Sequence, residues 1–328
     1  MSAFVSTLLR YRVAVILGLT LLVAAMIVPG FVSLTTLSLG LDRGSTIGLI
    51  AIGLTVLLIA GQIDLSVGSV FAVAGIVAVM LQPMLGMGPA AVVGVLAGTA
   101  AGIVNGCLVV FLRVNSLVAT LATMLIFRSI AHWMTASQPI PGTDIMFSIT
   151  LSEIYLQVFT VRSGLFLVSI LLLHVWLTRT VAGRNLFAVG SNALSAEASG
   201  ISSDRIMFSS FVFASTLAGV AGVLQSLATN TGSPVYGSEL TVAVIAAVVV
   251  GGTRLEGGRG SALGTLGGVL TIAALTTAME FQSVPAYMQQ VASGLILILL
   301  VVLDRTVRTG GKTRRKRCPR LTLFISNR

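Results

Sequence analysis

The stretch that decides the fold class is PAAVVGVLAGTAAGIVNGCLVVFL, residues 89–112, which contains no charged side chain. A helix needs about 20 consecutive apolar residues to cross the hydrocarbon core of a bilayer. Glycine recurs here at every fourth position, on one helix face where a neighbouring backbone can approach closely. The stretch therefore predicts a membrane-spanning helix whose contact face is formed by Gly94, Gly98, Gly102 and Gly106.

A second glycine series, at the start of a later apolar run, has the same spacing. Its members are Gly260, Gly264 and Gly268. Such faces support close packing within one subunit, or helices that slide against each other while the protein works. Both interpretations remain open at this point.

Composition extends the membrane assignment to the whole chain. Of the 328 residues, 55% are hydrophobic and 9% are charged, whereas a soluble domain carries about 25% charged residues. A soluble enzyme, a disordered chain and a nucleic-acid-binding domain are excluded, so the net charge of +10 predicts no nucleic-acid partner. The two cysteines and the lack of a ligand cluster predict no disulfide framework, no metal site and no cofactor.

The apolar runs predict an all-α polytopic membrane protein with about ten transmembrane helices. The runs are continuous rather than alternating, which disfavours a β-barrel. The predicted spans are residues 11–32, 44–61, 67–82, 89–112, 117–134, 164–178, 206–228, 240–252, 261–279 and 284–303.

The distribution of basic residues predicts the orientation. If the N-terminus is cytoplasmic, most of the 20 Lys and Arg residues lie in inside segments, and Arg43 and Arg162 lie outside. Both termini are then cytoplasmic. We expect a transmembrane permease domain over residues 1–304, with its main inside loop at 179–205. A basic cytoplasmic tail over residues 305–328 could bind membrane lipid.

Polar residues inside the spans are candidates for a translocation path or gate, because such groups are costly in a membrane. Each also has a structural interpretation, such as a helix cap for the aspartate. The candidates are Asp64, Asn105, Thr120, Thr123, Arg128 and His132, and further uncharged polar residues are Gln225, Gln282, Gln289 and Gln290. No carboxylate is expected deep in a span, which argues against a proton-coupled carrier.

The inside loop contains a predicted short helix. Residues 183–185 are expected to form a turn, Asn192 to cap a helix over residues 193–199, and Gly200 to end it. A helix this short is marginal in water alone and requires a partner surface. The tail sequence Gly310–Thr313 lacks the first glycine of a phosphate-binding loop, so ATP would have to be bound by another subunit.

Four segments together resemble the ribose/arabinose/galactose class of bacterial ABC-importer permeases. They are GQIDLSVGS (61–69), NSLVATLATMLIFRSIA (115–131), GRNLFAVGSN with SGI (183–192 and 199–201), and GGTRLEGGRGSALGT (251–265). They occur in the family's order and spacing. The sequence departs from the family at residues 193–197, where the usual acidic residue after Asn192 is missing and Glu197 replaces a basic residue.

The resemblance implies a non-enzymatic permease subunit that moves a small monosaccharide, such as a pentose, across the bacterial inner membrane. It implies a second permease subunit (identical or related), cytoplasmic ABC ATPase subunits and a periplasmic sugar-binding protein as partners. It assigns coupling to the ATPase to Gly183, Arg184, Gly190, Asn192, Ser199, Gly200 and Ile201. Alternatives are a permease for branched-chain amino acids or nucleosides, and a stand-alone secondary carrier.

Overall fold

The computed structural model describes residues 12–296 and residue 298, and most of them are helical. The helices are α1 (Arg12–Ile27), α2 (Leu34–Ile59), α3 (Val67–Leu85), α4 (Met87–Gly106), α5 (Ser116–Met134), α6 (Ile145–Ser152), α7 (Val161–Arg179), α8 (Val181–Ser191), α9 (Ala193–Ala198), α10 (Ser203–Ala228), α11 (Leu240–Val250) and α12 (Ala262–Phe281). A π-helical turn, Cys107–Phe111, extends α4, and residues 286–296 are also helical.

Seven helices in the described part are long and apolar enough to cross a membrane. They are α2, α3, α4 with its π-helical turn, α5, α7, α10 and α12, while α1 and α11 are shorter apolar helices. Each of the ten predicted spans is helical over all or part of its described length. The basic tail at 305–328 and both termini lie outside the described residues.

Helix boundaries follow from side-chain caps. The Ser33 hydroxyl accepts a hydrogen bond from the Thr36 amide at the start of α2, and Thr160 forms a reciprocal capping box with Ser163 at the start of α7. Such caps satisfy amide groups that have no partner within the helix. Two connections between helices are joined by a short antiparallel ladder of β1 (Ile140–Pro141) and β2 (Thr231–Gly232).

Helix α10 lies at the centre of the helical body and packs against α2, α3 and α4. The glycines predicted to form the contact face of α4 lie at these approaches. A Cβ atom added at Gly98 would lie 2.8 Å from the Gly219 Cα, and one at Gly102 would lie 2.8 Å from the Ser215 Cβ. Gly94 faces α3 and Val223, and Gly106 faces the Phe208 ring. These distances leave no room for larger side chains.

The second glycine series lies against α11 and the end of α2. A Cβ at Gly264 would overlap the Gly251 carbonyl, and one at Gly268 would overlap the Ala247 carbonyl. A Cβ at Gly260 would instead lie 2.8 Å from the Ile59 side chain. Thus α11 and α12 also approach each other through their backbones.

Three expectations are corrected by the structure. Residues 183–185 do not form a turn, because the Thr180 hydroxyl caps α8, which runs through them. Helix α2 begins at Leu34 rather than near residue 44, so Arg43 lies in a helix and not in an outer loop. Carboxylates also occur within apolar helices. Asp42 lies in α2 and pairs with Arg162, and Glu280 lies in α12 and pairs with Arg43.

We predict that Gly102→Leu lowers the unfolding temperature in detergent, because the new side chain would displace Ser215 and the Phe211 carbonyl. Overpacking of this kind costs about 1–3 kcal/mol. Gly88→Leu is the matched control, since no atom lies within 4 Å of a Cβ at Gly88. Equal unfolding temperatures for the two variants would contradict close packing of α4 on α10.

Candidate functional site

A cavity of about 870 Å³ opens at one end of the helical body, where α2, α7 and α11 begin and where α10 and α12 end. We call it the polar cavity. Its polar lining includes Asp42, Thr46, Arg162, Gln225, Glu239 and Glu280, and Phe71 and Tyr236 add aromatic surface. A concave site with a few convergent polar groups on an apolar wall has the usual character of a small-molecule site.

A chain of hydrogen bonds connects three helices in the cavity wall. The Arg162 guanidinium pairs with the Asp42 carboxylate and also donates to Gln225 Oε1 over 2.8 Å. The Thr160 hydroxyl donates to Asp42 Oδ1 over 2.6 Å, and the Thr46 hydroxyl donates to Gln225 Oε1 over 3.3 Å. Two charged side chains are thereby stabilised where water has little access, since they are only 11% and 18% exposed.

One donor in this network is unused. Arg162 Nε is buried and has no hydrogen-bond partner among the described residues. A buried donor without a partner costs about 1–3 kcal/mol. Arg162 Nε can therefore donate one more hydrogen bond to a further acceptor.

The cavity is close to electrically balanced. The second ion pair, between Arg43 and Glu280, is more exposed than the first. Both arginines of the lining are thus paired with carboxylates, and Glu239 adds one negative charge. Such a lining offers hydrogen bonds in both directions and does not favour an anionic solute.

Arg128 stabilises part of the cavity wall without lining the cavity itself. Its Nη1 donates to the carbonyls of Pro234 at 2.5 Å and Tyr236 at 2.8 Å, in a connection that forms part of the cavity wall. His132, one turn further along α5, contacts the Ser137 hydroxyl instead, at 3.2 Å. The guanidinium therefore positions the wall without lining it.

Asp64 and Asn105 meet beside the middle of α10, next to Ser215. Asp64 Oδ1 accepts from the Ser66 amide and the Ser66 hydroxyl, each at 2.7 Å. Asp64 Oδ2 accepts from Asn105 Nδ2 at 3.3 Å and from the Ser215 hydroxyl at 3.4 Å. This Asp64 cluster is fully buried and joins the α2–α3 connection to α4 and α10. Burial raises the pKa of the Asp64 carboxyl, while its hydrogen bonds oppose that shift.

The other two predicted path residues bond within their own helix. The Thr120 hydroxyl donates to the Ser116 carbonyl and the Thr123 hydroxyl to the Thr120 carbonyl, so both side chains complete α5 locally. None of the six path candidates lines the polar cavity. The sequence alone did not identify five charged residues of the lining, which are Asp42, Arg43, Arg162, Glu239 and Glu280. The Ser33 cap was the available signal, because it starts α2 early enough to include Asp42 and Arg43.

The predicted coupling residues lie at the end of the helical body opposite the polar cavity, where Gly190 contacts the end of α2 at Ile59. Helix α8 contains Gly183, Arg184 and Gly190, and Asn192 caps α9 by accepting from the Ser195 amide at 2.9 Å. Gly200 ends α9 with a φ of +82°, and the Ile201 amide closes the turn on the Ala196 carbonyl at 3.0 Å. The Ser199 hydroxyl donates to the Ser195 carbonyl. Leu194, on α9, is 79% exposed.

Comparison with known proteins identifies the same class of protein as the sequence motifs, a permease component of a transport system. The family model "Branched-chain amino acid transport system / permease component" matches residues 36–301. The ribose import permease protein RbsC of Bacillus subtilis is 32% identical, with 88% of this chain and 91% of the relative covered. The L-arabinose ABC transporter permease protein AraH of Azospirillum brasilense is 34% identical, with 86% and 83% covered.

A third relative, the probable ABC transporter permease protein YphD of Escherichia coli, is 34% identical over 88% of this chain and 87% of its own length. No solved structure gives a significant match. The chain belongs to this family of transport-system permease components. Within the family it falls in the class of ABC-importer permeases that resemble the ribose and arabinose permeases, and it is a multi-pass protein of the bacterial inner membrane.

We predict that Asp64→Ala destabilises the protein in detergent more than Asp64→Asn does. Alanine leaves the Ser66 amide and the Ser66 hydroxyl without their acceptor, at a cost of about 1–3 kcal/mol per buried group, whereas asparagine keeps one carbonyl oxygen. Because the folded-state pKa of Asp64 is raised, its contribution to stability falls as the pH rises through that pKa.

The check is the unfolding temperature of the three proteins across a pH series. Asp64→Asn should lose less stability than wild type as the pH is raised, since it has no titrating group at this position. Identical unfolding temperatures for the alanine and asparagine variants would contradict the structural role of the Asp64 cluster.

Proposed function

We propose that this chain is the permease subunit of an ATP-driven importer and that it moves a monosaccharide, a pentose or a similar small sugar, across the inner membrane. The observation that carries the substrate class is the polar cavity with its balanced charges and unused arginine donor. The similarity to permeases named for ribose and arabinose points the same way.

The lining suits a neutral polyhydroxylated solute. A sugar hydroxyl is both a donor and an acceptor, so it can accept from Arg162 Nε and donate to Asp42 or Gln225. The aromatic surface of Phe71 and Tyr236 suits the apolar face of a sugar ring. A volume of about 870 Å³ lies within the usual range for ligand sites, about 300–1,000 Å³.

The alternatives receive less support from the same cavity. A branched-chain amino acid is a zwitterion, and both arginines of the lining are already paired with carboxylates. A nucleoside would share the hydroxyl chemistry, but the permease names among the similar relatives given above refer to ribose and arabinose. A stand-alone secondary carrier would need no surface helix such as α9.

We further propose ten transmembrane helices with both termini in the cytoplasm, over a permease domain of residues 1–304. The basic residues support this orientation by the positive-inside rule. At the end that carries α8 and α9 are Arg113, Arg179, Arg184, Arg205, Arg254 and Arg259, while Arg43 and Arg162 lie at the cavity end. The polar cavity then opens to the periplasm, and the tail at 305–328 binds lipid headgroups at the cytoplasmic surface.

The partners follow from this orientation. A periplasmic sugar-binding protein delivers the sugar to the cavity mouth, and a second permease subunit completes the path. An ABC ATPase subunit receives α9, whose exposed Leu194 and firm Asn192 and Gly200 caps make it a small rigid docking element. ATP hydrolysis takes place on that partner, and this chain is not itself an enzyme.

The test is sugar uptake by proteoliposomes that contain the permease with its co-expressed ATPase and binding protein. We expect uptake of a labelled ribose, arabinose or galactose that stops when the catalytic glutamate of the ATPase is replaced. Uptake that is unaffected by this replacement would overturn the ATP-driven assignment. Uptake of labelled leucine or adenosine without any sugar uptake would overturn the substrate class.

We predict that Arg162→Gln lowers sugar uptake at least about tenfold, because it leaves the buried Asp42 carboxylate unpaired and removes the Nε donor. The exchanged pair Asp42→Arg with Arg162→Asp should recover thermal stability but not uptake, since the charges are paired again at the wrong positions. The matched control is Arg113→Gln, in an exposed ion pair with Asp204, which should stay within about twofold of wild type. Full recovery of uptake by the exchanged pair would show that the pair is structural only.

A further inference from the structure

Three distant segments meet backbone to backbone at the end of the protein opposite the polar cavity. They are residues 59–61 at the end of α2, residues 190–191 at the end of α8, and residues 257–258 between α11 and α12. We call this contact the glycine joint. The segment 251–265 was recognised in the sequence as a motif, but neither the cavity nor the docking helix accounts for it.

The joint is held by a backbone hydrogen bond, and the segments can approach this closely because glycine has no side chain. The Gly258 amide donates to the Ile59 carbonyl over 2.9 Å. A Cβ at Gly190 would overlap that same carbonyl and lie 2.8 Å from the Gly258 nitrogen. A Cβ at Gly257 would lie 2.6 Å from the Gly190 carbonyl and 2.8 Å from the Gly61 Cα. Every pair of the three segments is therefore in direct backbone contact.

The backbone conformation at the joint is also specific. Gly61, Gly257 and Gly258 have φ values of +78°, +89° and +70°, a region that costs other residues energy. The connection between α11 and α12 is further closed by a hydrogen bond from the Arg254 amide to the Arg259 carbonyl at 3.0 Å. The 251–260 connection thus has a defined shape and is held against α2 and α8.

The joint lies next to the docking helix and on the helices that form the cavity. Helix α9 begins two residues after Ser191. The segments of the joint end or connect α2, α7, α10, α11 and α12, directly or through α8 and α9. Side chains from all five of these helices line the polar cavity at the far end, for example Asp42, Arg162, Gln225, Leu240 and Glu280.

We propose that the glycine joint is a rigid coupling that passes movement of α9 to α2, α11 and α12, and so to the mouth of the polar cavity. Without it, α9 would act only on α7 and α10, to which it is joined through α8 and by the short link to Ser203. The proposal rests on the proposed function, because the movement of α9 comes from the ATPase partner. Gly190, Gly257, Gly258 and Gly260 are positioning residues that act through Ile59 and α2.

The test measures access to the cavity in the assembled complex. A single cysteine, Ser238→Cys, is placed in the cavity lining, with Cys107 and Cys318 replaced by serine. A membrane-impermeant maleimide labels it with ATP trapped on the ATPase and without nucleotide. In the otherwise unaltered complex, we expect one of the two labelling rates to exceed the other at least about fivefold.

Gly190→Ala should bring this ratio close to one while the ATPase still co-purifies, because the methyl group forces α8 away from the Ile59 carbonyl. Gly88→Ala is the control and should keep the unaltered ratio. The atoms nearest to a Cβ at Gly260 belong to the Ile59 side chain and the Thr253 hydroxyl, so Gly260→Ala should fold and reduce the ratio by about twofold or more. If the Gly190→Ala complex does not assemble, the labelling ratio of Gly260→Ala tests the proposal instead.

The proposal is overturned if the Gly190→Ala complex keeps the unaltered labelling ratio, or if Gly260→Ala does so where Gly190→Ala fails to assemble. Failure of the proposed function has a different signature. A complex that hydrolyses ATP and changes its labelling, but carries no sugar, would reject the substrate class and still support the joint.

Discussion

The close approach of helix backbones is the constraint on which the rest of this structure depends. Lipid tails are as apolar as leucine, so helices in a bilayer gain little from burying apolar side chains against one another. They gain from dispersion when their surfaces fit closely. Helix α10 achieves this on three sides, because Gly53 of α2, Gly75 of α3 and Gly98 of α4 each face its backbone or its small side chains.

The placement of charge follows from that packing. Where backbones touch there is no room for long side chains, so the ion pairs lie toward the cavity end of the helices. They are formed by Asp42, Arg43, Arg162 and Glu280, which neutralise one another across helices. Beside the middle of α10, the buried carboxylate of Asp64 is surrounded by four hydrogen-bond donors. The packing thus accommodates charge in two ways, as ion pairs in the cavity wall and as one carboxylate whose hydrogen bonds are made by its neighbours.

The sequence predicts the parts of this arrangement that depend on local chemistry. Long apolar runs place the helices, and Asn192 and Gly200 set the limits of α9 because caps act over a few residues. The cavity was not predictable in this way. Asp42 and Arg162 are far apart in the chain, and beside Gly44 the pair Asp42–Arg43 resembles a polar connection. Their charges are neutralised by tertiary contacts, which the local sequence does not reveal.

The length of α2 has a geometric consequence. Asp42 and Ile59 lie on one uninterrupted helix, separated by about 26 Å at 1.5 Å per residue. A tilt of about 5° at the Ile59 end would therefore move Asp42 by about 2 Å. That displacement exceeds the width of the usual N–H···O distance range, which is about 2.7–3.2 Å. A small rotation of α2 is therefore large enough to exchange the partners of Arg162.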